Sequence, residues 1–200
     1  DRKTSLVDRV AELNNIIFQE NLGTVGEKTQ RVVNLAEFIA NKLNANVELA
    51  KRSALLAKAD LLTNMVGEFG NLQGAMGRYY ALADNEPLEV ATALEEQYFP
   101  KQSGTETAKS QTGQILAIAE KIDTLVSIFK VDLLPTGDKD PYALRRAAIG
   151  VLRTIIENNL DIDINELINF AENQIHPKPT HVGKGMKIYA KLSSVGDPTT

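Results

Sequence analysis

The sequence predicts an all-α fold, a compact multi-helix domain built around one core. Three observations carry that reading. Apolar residues recur at i, i+3, i+4 and i+7 through most of the chain, the period of a helix with one buried face. Alternating β-branched runs are rare, and aromatic residues are only 6% of the chain with no Trp, so little favours strands. Capping residues precede most periodic stretches and breakers follow them. About seven or eight helices with short connections are expected.

Taken in order, Thr4 and Ser5 can cap a first helix carrying Leu6, Val10, Leu13 and Ile17 on one face. Asn21-Leu22-Gly23 ends it. Thr24 and Glu27 have capping-box spacing and open a second helix, with Val32, Leu35, Ala36, Ile39 and Leu43 inward. Asn46 caps a third, running to about Leu62, which is apolar around much of its girth and is expected to be central. Asp60 lies within it among leucines, where a carboxylate needs a partner. Glycines 67, 70, 74 and 77 then permit close backbone approach, but no Gly-Lys-Ser/Thr ending marks a phosphate loop. A short helix from Leu88 to Tyr98 stops at Pro100, and the polar stretch Lys101–Gln111 reads as a mobile loop. Ile115, Ile118, Ile122, Leu125 and Phe129 form a packing seam on the next helix, interrupted by Asp123. Asp163 caps a last helix with Leu167, Ile168 and Phe170. Residues 1–174 are read as the helical domain. Residues 175–200, with prolines, glycines, lysines and no helical period, are read as a poorly ordered tail or an extension foreign to the domain.

The most informative stretch is Pro135–Arg153, PTGDKDPYALRRAAIGVLR. Its Gly-Asp-Lys-Asp turn leads into a helix for which Asp140 serves as N-cap and Pro141 as the first helical residue. Leu144, Ala147, Ala148, Val151, Leu152, Ile155 and Ile156 make the inward face. Tyr142, Arg145, Arg146 and Arg153 fall on a flank away from it, an arrangement suited to phosphates and bases or to an ordinary solvated face.

Bulk composition narrows the function classes. The net charge of −4 argues against a generic nucleic-acid binder but leaves room for a local basic patch. With no Cys and two His, disulfides, thiol chemistry and Cys-zinc sites are excluded, and no Ser-His-Asp or Cys-His constellation can be assembled. No run reaches the roughly 18 apolar residues of a membrane span. The chain opens at Asp1, without Met and already in helical pattern, and reads as a piece of something longer.

Four segments together resemble a known family. Pro135–Arg153 closely resembles PxGDKDPFALRRAALGVLR, with Tyr142 for Phe and Ile149 for Leu. Gln19–Val25 with Lys28 resembles FQxxLGTVxxK. Lys58–Tyr80 resembles KxDLxTNMVxEFxxxQGxMGxxYA, with Gln73, Gly74, Met76 and Gly77 in place. Ala119–Phe129 resembles ADKxDTLxGIF, with Glu120 and Ser127 replacing Asp and Gly. All four are motifs of the beta subunit of bacterial-type, tetrameric glycyl-tRNA synthetase, and they span about Leu6 to Asn173.

The resemblance implies a central helical domain similar to the HD phosphohydrolase superfamily. In that superfamily Asp60 would match the Asp of the His-Asp pair, and Asp123 the last metal ligand. Ala59 stands where the His belongs, the helix Glu27–Leu43 contains no His, and His176 and His181 match nothing. The implied site is therefore a remnant without a metal or catalytic residues, and Asp60 and Asp123 are expected to join helices by hydrogen bonds.

The implied function is a non-catalytic segment of glycine–tRNA ligase that supports tRNA(Gly) binding. Its partner would be the alpha subunit in an α2β2 cytoplasmic assembly, with no DNA and no membrane. ATP and glycine would bind the alpha subunit, with Mg for the whole enzyme and no cofactor in this segment. Arg145, Arg146 and Arg153 are the implied tRNA contacts, with Lys139, Arg78 and Tyr142 as lesser ones. The alternatives are a degenerate metal-dependent phosphohydrolase and a purely structural docking module.

Overall fold

Thirteen glycines and seven prolines punctuate a chain that is otherwise rich in good helix formers, and the result is helices with short joints. A computed structural model describes residues 1–177; the rest of the expected tail, from residue 178, lies outside the described residues. The helices are α1 (Leu6–Arg9), α2 (Val25–Lys42), α3 (Val47–Leu56), α4 (Asn64–Glu68), α5 (Ala75–Ala83), α6 (Leu88–Glu96), α7 (Gln111–Lys130), α8 (Leu144–Glu157) and α9 (Ile164–Gln174). A two-stranded antiparallel ribbon, β1 (Ile17–Gln19) and β2 (Gly23–Thr24), is the only sheet among the described residues.

The hub is α7, against which α2, α3, α6, α8 and α9 all pack. Its residues Ile115, Leu116, Ala117, Ile118 and Ala119 are buried in succession, so it has no solvent face there. This corrects the expectation that the 47–62 stretch is central. That stretch is also not one helix: α3 ends at Leu56, and Ala59–Leu62 is a separate 3-10 turn that carries Asp60. The first helix is likewise short. After α1 the chain tightens into a 3-10 turn over Val10–Asn15, then enters β1, where Ile17 is exposed rather than buried. Pairing with β2 takes Ile17 out of the helical register that the spacing implied.

Local chemistry explains most boundaries. Thr24 and Glu27 form the capping box, each side chain taking the other's backbone amide. Asn46, Ser110 and Asp163 cap α3, α7 and α9. Asn44, Asn85 and Asn159 all have positive φ just past helix ends, the left-handed conformation that Asn tolerates better than most residues. Phe38 of α2 stacks on Phe170 of α9 with ring centroids 4.4 Å apart, fixing the last helix to the bundle. Ile175 is buried with Leu22, Ile128, Val131 and Leu144 in a small second core.

The polar stretch 101–110, expected as a mobile loop, is pinned at several points. Ala108 is fully buried, the amides of Lys109 and Ser110 donate to the Glu96 carboxylate, and Arg153 holds the Thr105 carbonyl.

Candidate nucleic-acid interface

Beneath the surface of interest lies a buried line of charge. α2 begins at its capping box and so presents Lys28 and Arg31, three residues apart, to the same side of α7. There they meet Glu120, Asp123 and Thr124. Lys28 Nζ lies 3.1 Å from Asp123 Oδ2, 3.4 Å from Glu120 Oε1, and donates to Thr124 Oγ1 at 2.7 Å. Arg31 grips the Asp123 carboxylate with two donors, Nε at 2.7 Å and Nη2 at 3.2 Å. Lys58 completes the line, 3.5 Å from Glu120 and donating to the Tyr98 hydroxyl at 3.0 Å.

Burial alone would push Glu120 upward. The charges of Lys28, Lys58 and Lys121 outweigh it and hold the carboxyl well below its usual range. Burial would lower Lys58 too, but Glu120, Tyr98 and Asp60 hold it above its ordinary value. At Lys121 burial outweighs the pull of Glu120, and the charge of Lys58 adds to it, bringing the amine down to about 8, with its Nζ donating to the carbonyls of Gln97 and Phe99. Gly150 of α8 admits this side chain, since a Cβ there would stand 3.0 Å from Lys121 Cε.

Asp60 has a different task. Its Oδ2 accepts from the amides of Gly74 at 2.6 Å and Gly77 at 3.2 Å, fastening the start of α5. Gly74 has φ of +81° and a Cβ on it would overlap the Tyr98 ring at 2.5 Å, so the close approach needs glycine. Burial raises the Asp60 pKa against the pull of those amides and of Lys58. Asp60 and Asp123 therefore share no hydrogen-bond partner. Among the described residues no group of three His, Cys, Asp or Glu side chains is placed to hold a metal.

Above this line stands α8. It starts at Leu144, three residues later than expected, and Asp140 is not its N-cap residue. Asp140 still satisfies the helix end: its two oxygens accept from the amides of Leu144 at 2.8 Å and Arg145 at 3.0 Å, reaching over the turn at 141–143. Ala143, in the left-handed region with φ of 53°, makes that turn and keeps Pro141 and Tyr142 outside the helix. The inward face of α8 is Leu144, Gly150, Val151 and Thr154. Leu152 and Ile156, expected inside, are 46% and 70% exposed, and Ile149 is 57% exposed. The apolar arc is wider than the contact with α7, so one edge of it, Ile149, Leu152 and Ile156, faces out.

The expected contact residues separate into groups. Arg145 and Arg146 are exposed and make no ion pair or side-chain hydrogen bond among the described residues. Lys139 is exposed in the preceding turn, at the Thr136–Lys139 bridge. Arg153 is engaged, with Nε 2.6 Å from Glu157 Oε1 and Nη2 donating to Thr105 O. Arg78 pairs with Glu95 at 3.1 Å. Tyr142 and Arg146 line one side of a cleft of about 560 Å³, joined by Phe18, Gln97, Tyr98, Lys101 and Lys121. Periodicity could not reveal those five, which come from a strand, a helix end, a loop and the hub.

The chain matches the family model described as "Glycyl-tRNA synthetase beta subunit" over residues 1–194. It is 51% identical over 183 residues to a glycine–tRNA ligase beta subunit of Pseudomonas fluorescens (strain Pf0-1), covering 92% of this chain and 27% of that protein. A beta subunit of the same name from Janthinobacterium sp. (strain Marseille) is 51% identical over 172 residues, 86% of this chain and 25% of the relative. One from Pseudomonas putida (strain W619) is 50% identical over 183 residues, with 92% and 27% covered. The chain thus spans about a quarter of the length of these relatives.

Proposed function

Since the chain belongs to the glycyl-tRNA synthetase beta subunit family, we propose that it is a tRNA-engaging, non-catalytic part of a glycine–tRNA ligase. In this reading the whole enzyme joins glycine to tRNA(Gly) with ATP and Mg, the chemistry residing on an alpha subunit in a cytoplasmic α2β2 assembly. This segment contributes a rigid basic surface at the start of α8. The observation that carries the reading is the state of Arg145 and Arg146: exposed, without a side-chain partner among the described residues, on a helix whose end is fixed by Asp140. Guanidinium groups so placed suit phosphate oxygens, and each phosphate contact releases counterions. Lys139 and Tyr142 flank them. Arg153 and Arg78, already paired, are assigned to holding the loop and α6.

Filter binding of tRNA to the full assembly tests it. Arg145→Ala with Arg146→Ala should weaken binding and reduce the slope of log affinity against log salt by about two. Unchanged affinity and slope would reject the RNA role.

A second reading, a docking module, has one observation in its favour. Arg145, Ile149, Leu152 and Ile156 lie on one line of α8 (i, i+4, i+7, i+11), and the three apolar members are exposed. Loss of assembly in Ile149→Glu, with tRNA affinity of the arginine variants intact, would favour it. A metal phosphohydrolase is disfavoured by what the acids already do, since both Asp123 oxygens are held by cations.

A further inference from the structure

The cleft beside α8 has the composition of a site for one nucleotide rather than for a bare anion. Its volume, about 560 Å³, is within the range of small-molecule sites. Phe18, Tyr98 and Tyr142 bring three aromatic rings to its lining, and Lys101 and Arg146 bring two exposed cations. Glu120 also lines it, but its charge is taken up by Lys28 at 3.4 Å and Lys58 at 3.5 Å, so it does not oppose a phosphate. Gln97 also lines it but is 1% exposed, its Nε2 donating to the carbonyls of Ala57 and Leu94 at 2.8 Å each, so it is held by the fold. Three rings beside two exposed cations match a base together with its phosphate.

We propose that this cleft seats one unpaired nucleotide of the bound RNA, its base among the tyrosines and its phosphate on Arg146 and Lys101. The proposal rests on the reading that the start of α8 engages tRNA. RNA is favoured over a free nucleotide because the cleft is open rather than enclosing, and because Arg145 and Lys139 continue the basic surface beyond it.

Binding of tRNA to the full α and β assembly, measured over a salt series, tests the proposal with Tyr142→Ala, Tyr142→Phe, Lys101→Ala and Arg146→Ala. Tyr142→Ala should weaken binding about five- to tenfold with an unchanged salt slope, because a ring and no charge is lost. Tyr142→Phe, which keeps the ring, should bind as the unaltered protein does. Lys101→Ala, at an exposed position, should weaken binding and lower the slope by about one. In saturation-transfer NMR with the assembly, CMP should give a signal that Tyr142→Ala weakens. If Tyr142→Ala and Lys101→Ala leave tRNA affinity unchanged while Arg146→Ala weakens it, the cleft is not an RNA site although α8 still is. If Arg146→Ala is also silent, the α8 reading fails as well. CMP binding that is lost in Lys101→Ala, with tRNA affinity unaltered, would identify a free-nucleotide site and overturn the RNA proposal.

Discussion

Two basic regions lie one above the other and differ in almost every physical respect. Between α2 and α7, Lys28 is buried and Arg31 half-buried, and together they meet Glu120, Asp123 and Thr124. At the start of α8, Arg145 and Arg146 stand exposed with no side-chain partner among the described residues. Desolvated charges are tolerated only where each has a counter-charge, so the lower set is accounted for by folding. The upper set is not required by packing, capping or pairing. Similar residue types in neighbouring motifs thus answer to different demands, and the contrast separates structural cations from those available to a partner.

The contrast breaks most sharply at Asp123. Asp123→Ala leaves Lys28 and Arg31 without their shared acceptor and should destabilise the domain by about 3–5 kcal/mol in urea unfolding. A loss under 1 kcal/mol would mean that the buried line is as dispensable as the surface one.

Acid should act on the same line. The folded-state pKa of Glu120 is depressed, so its stabilisation is present above the ordinary carboxylate value near 4.3 and is lost as pH falls through the folded value. The stability gap between the unaltered protein and Glu120→Gln should therefore narrow as pH drops below about 4. A gap independent of pH would show that the carboxylate charge is not what Lys28 and Lys58 require.

Asp140 sits between the two regimes, exposed enough to be screened yet bonded to two amides. Asp140→Ala should cost about 0.5–2 kcal/mol and fray the first turn of α8 in hydrogen exchange. Smallest in stability are Arg145→Ala and Arg146→Ala, each expected within about 0.5 kcal/mol of the unaltered protein in unfolding. Under the proposed function their effect is expected in tRNA binding, and a stability loss like that of Asp123→Ala would erase the distinction.

The helical class and most caps were legible because they are local. Thr24 with Glu27, Asn46 and Asp163 each act within a few residues of themselves. What escaped was non-local. Asp60 looks mid-helical in a run of leucines, but its partners are amides 14 and 17 residues away, and satisfying them ends α3 early. The start of α8 escaped for a subtler reason: Asp140-Pro141 has the wording of a cap, yet Ala143 takes the left-handed turn and shifts the helix by three residues. Leu152 and Ile156 share the helical period with Val151 and Ile155, and only the location of α7 decides which of them are covered. Of the candidate site, the arginines and Tyr142 could be named from the motif. Phe18, Tyr98, Lys101 and Lys121 could not, because the cleft exists only where four parts of the chain converge.

The reach of Asp140 over its turn has one more consequence. A helix start is normally the positive pole of the peptide dipoles, with free amides that attract phosphates without any side chain. In α8 a native carboxylate already occupies that pole. The chain has closed its generic anion seat from within, so a phosphate docking here as proposed would be read by guanidinium groups on the helix flank, in the directions that those side chains set.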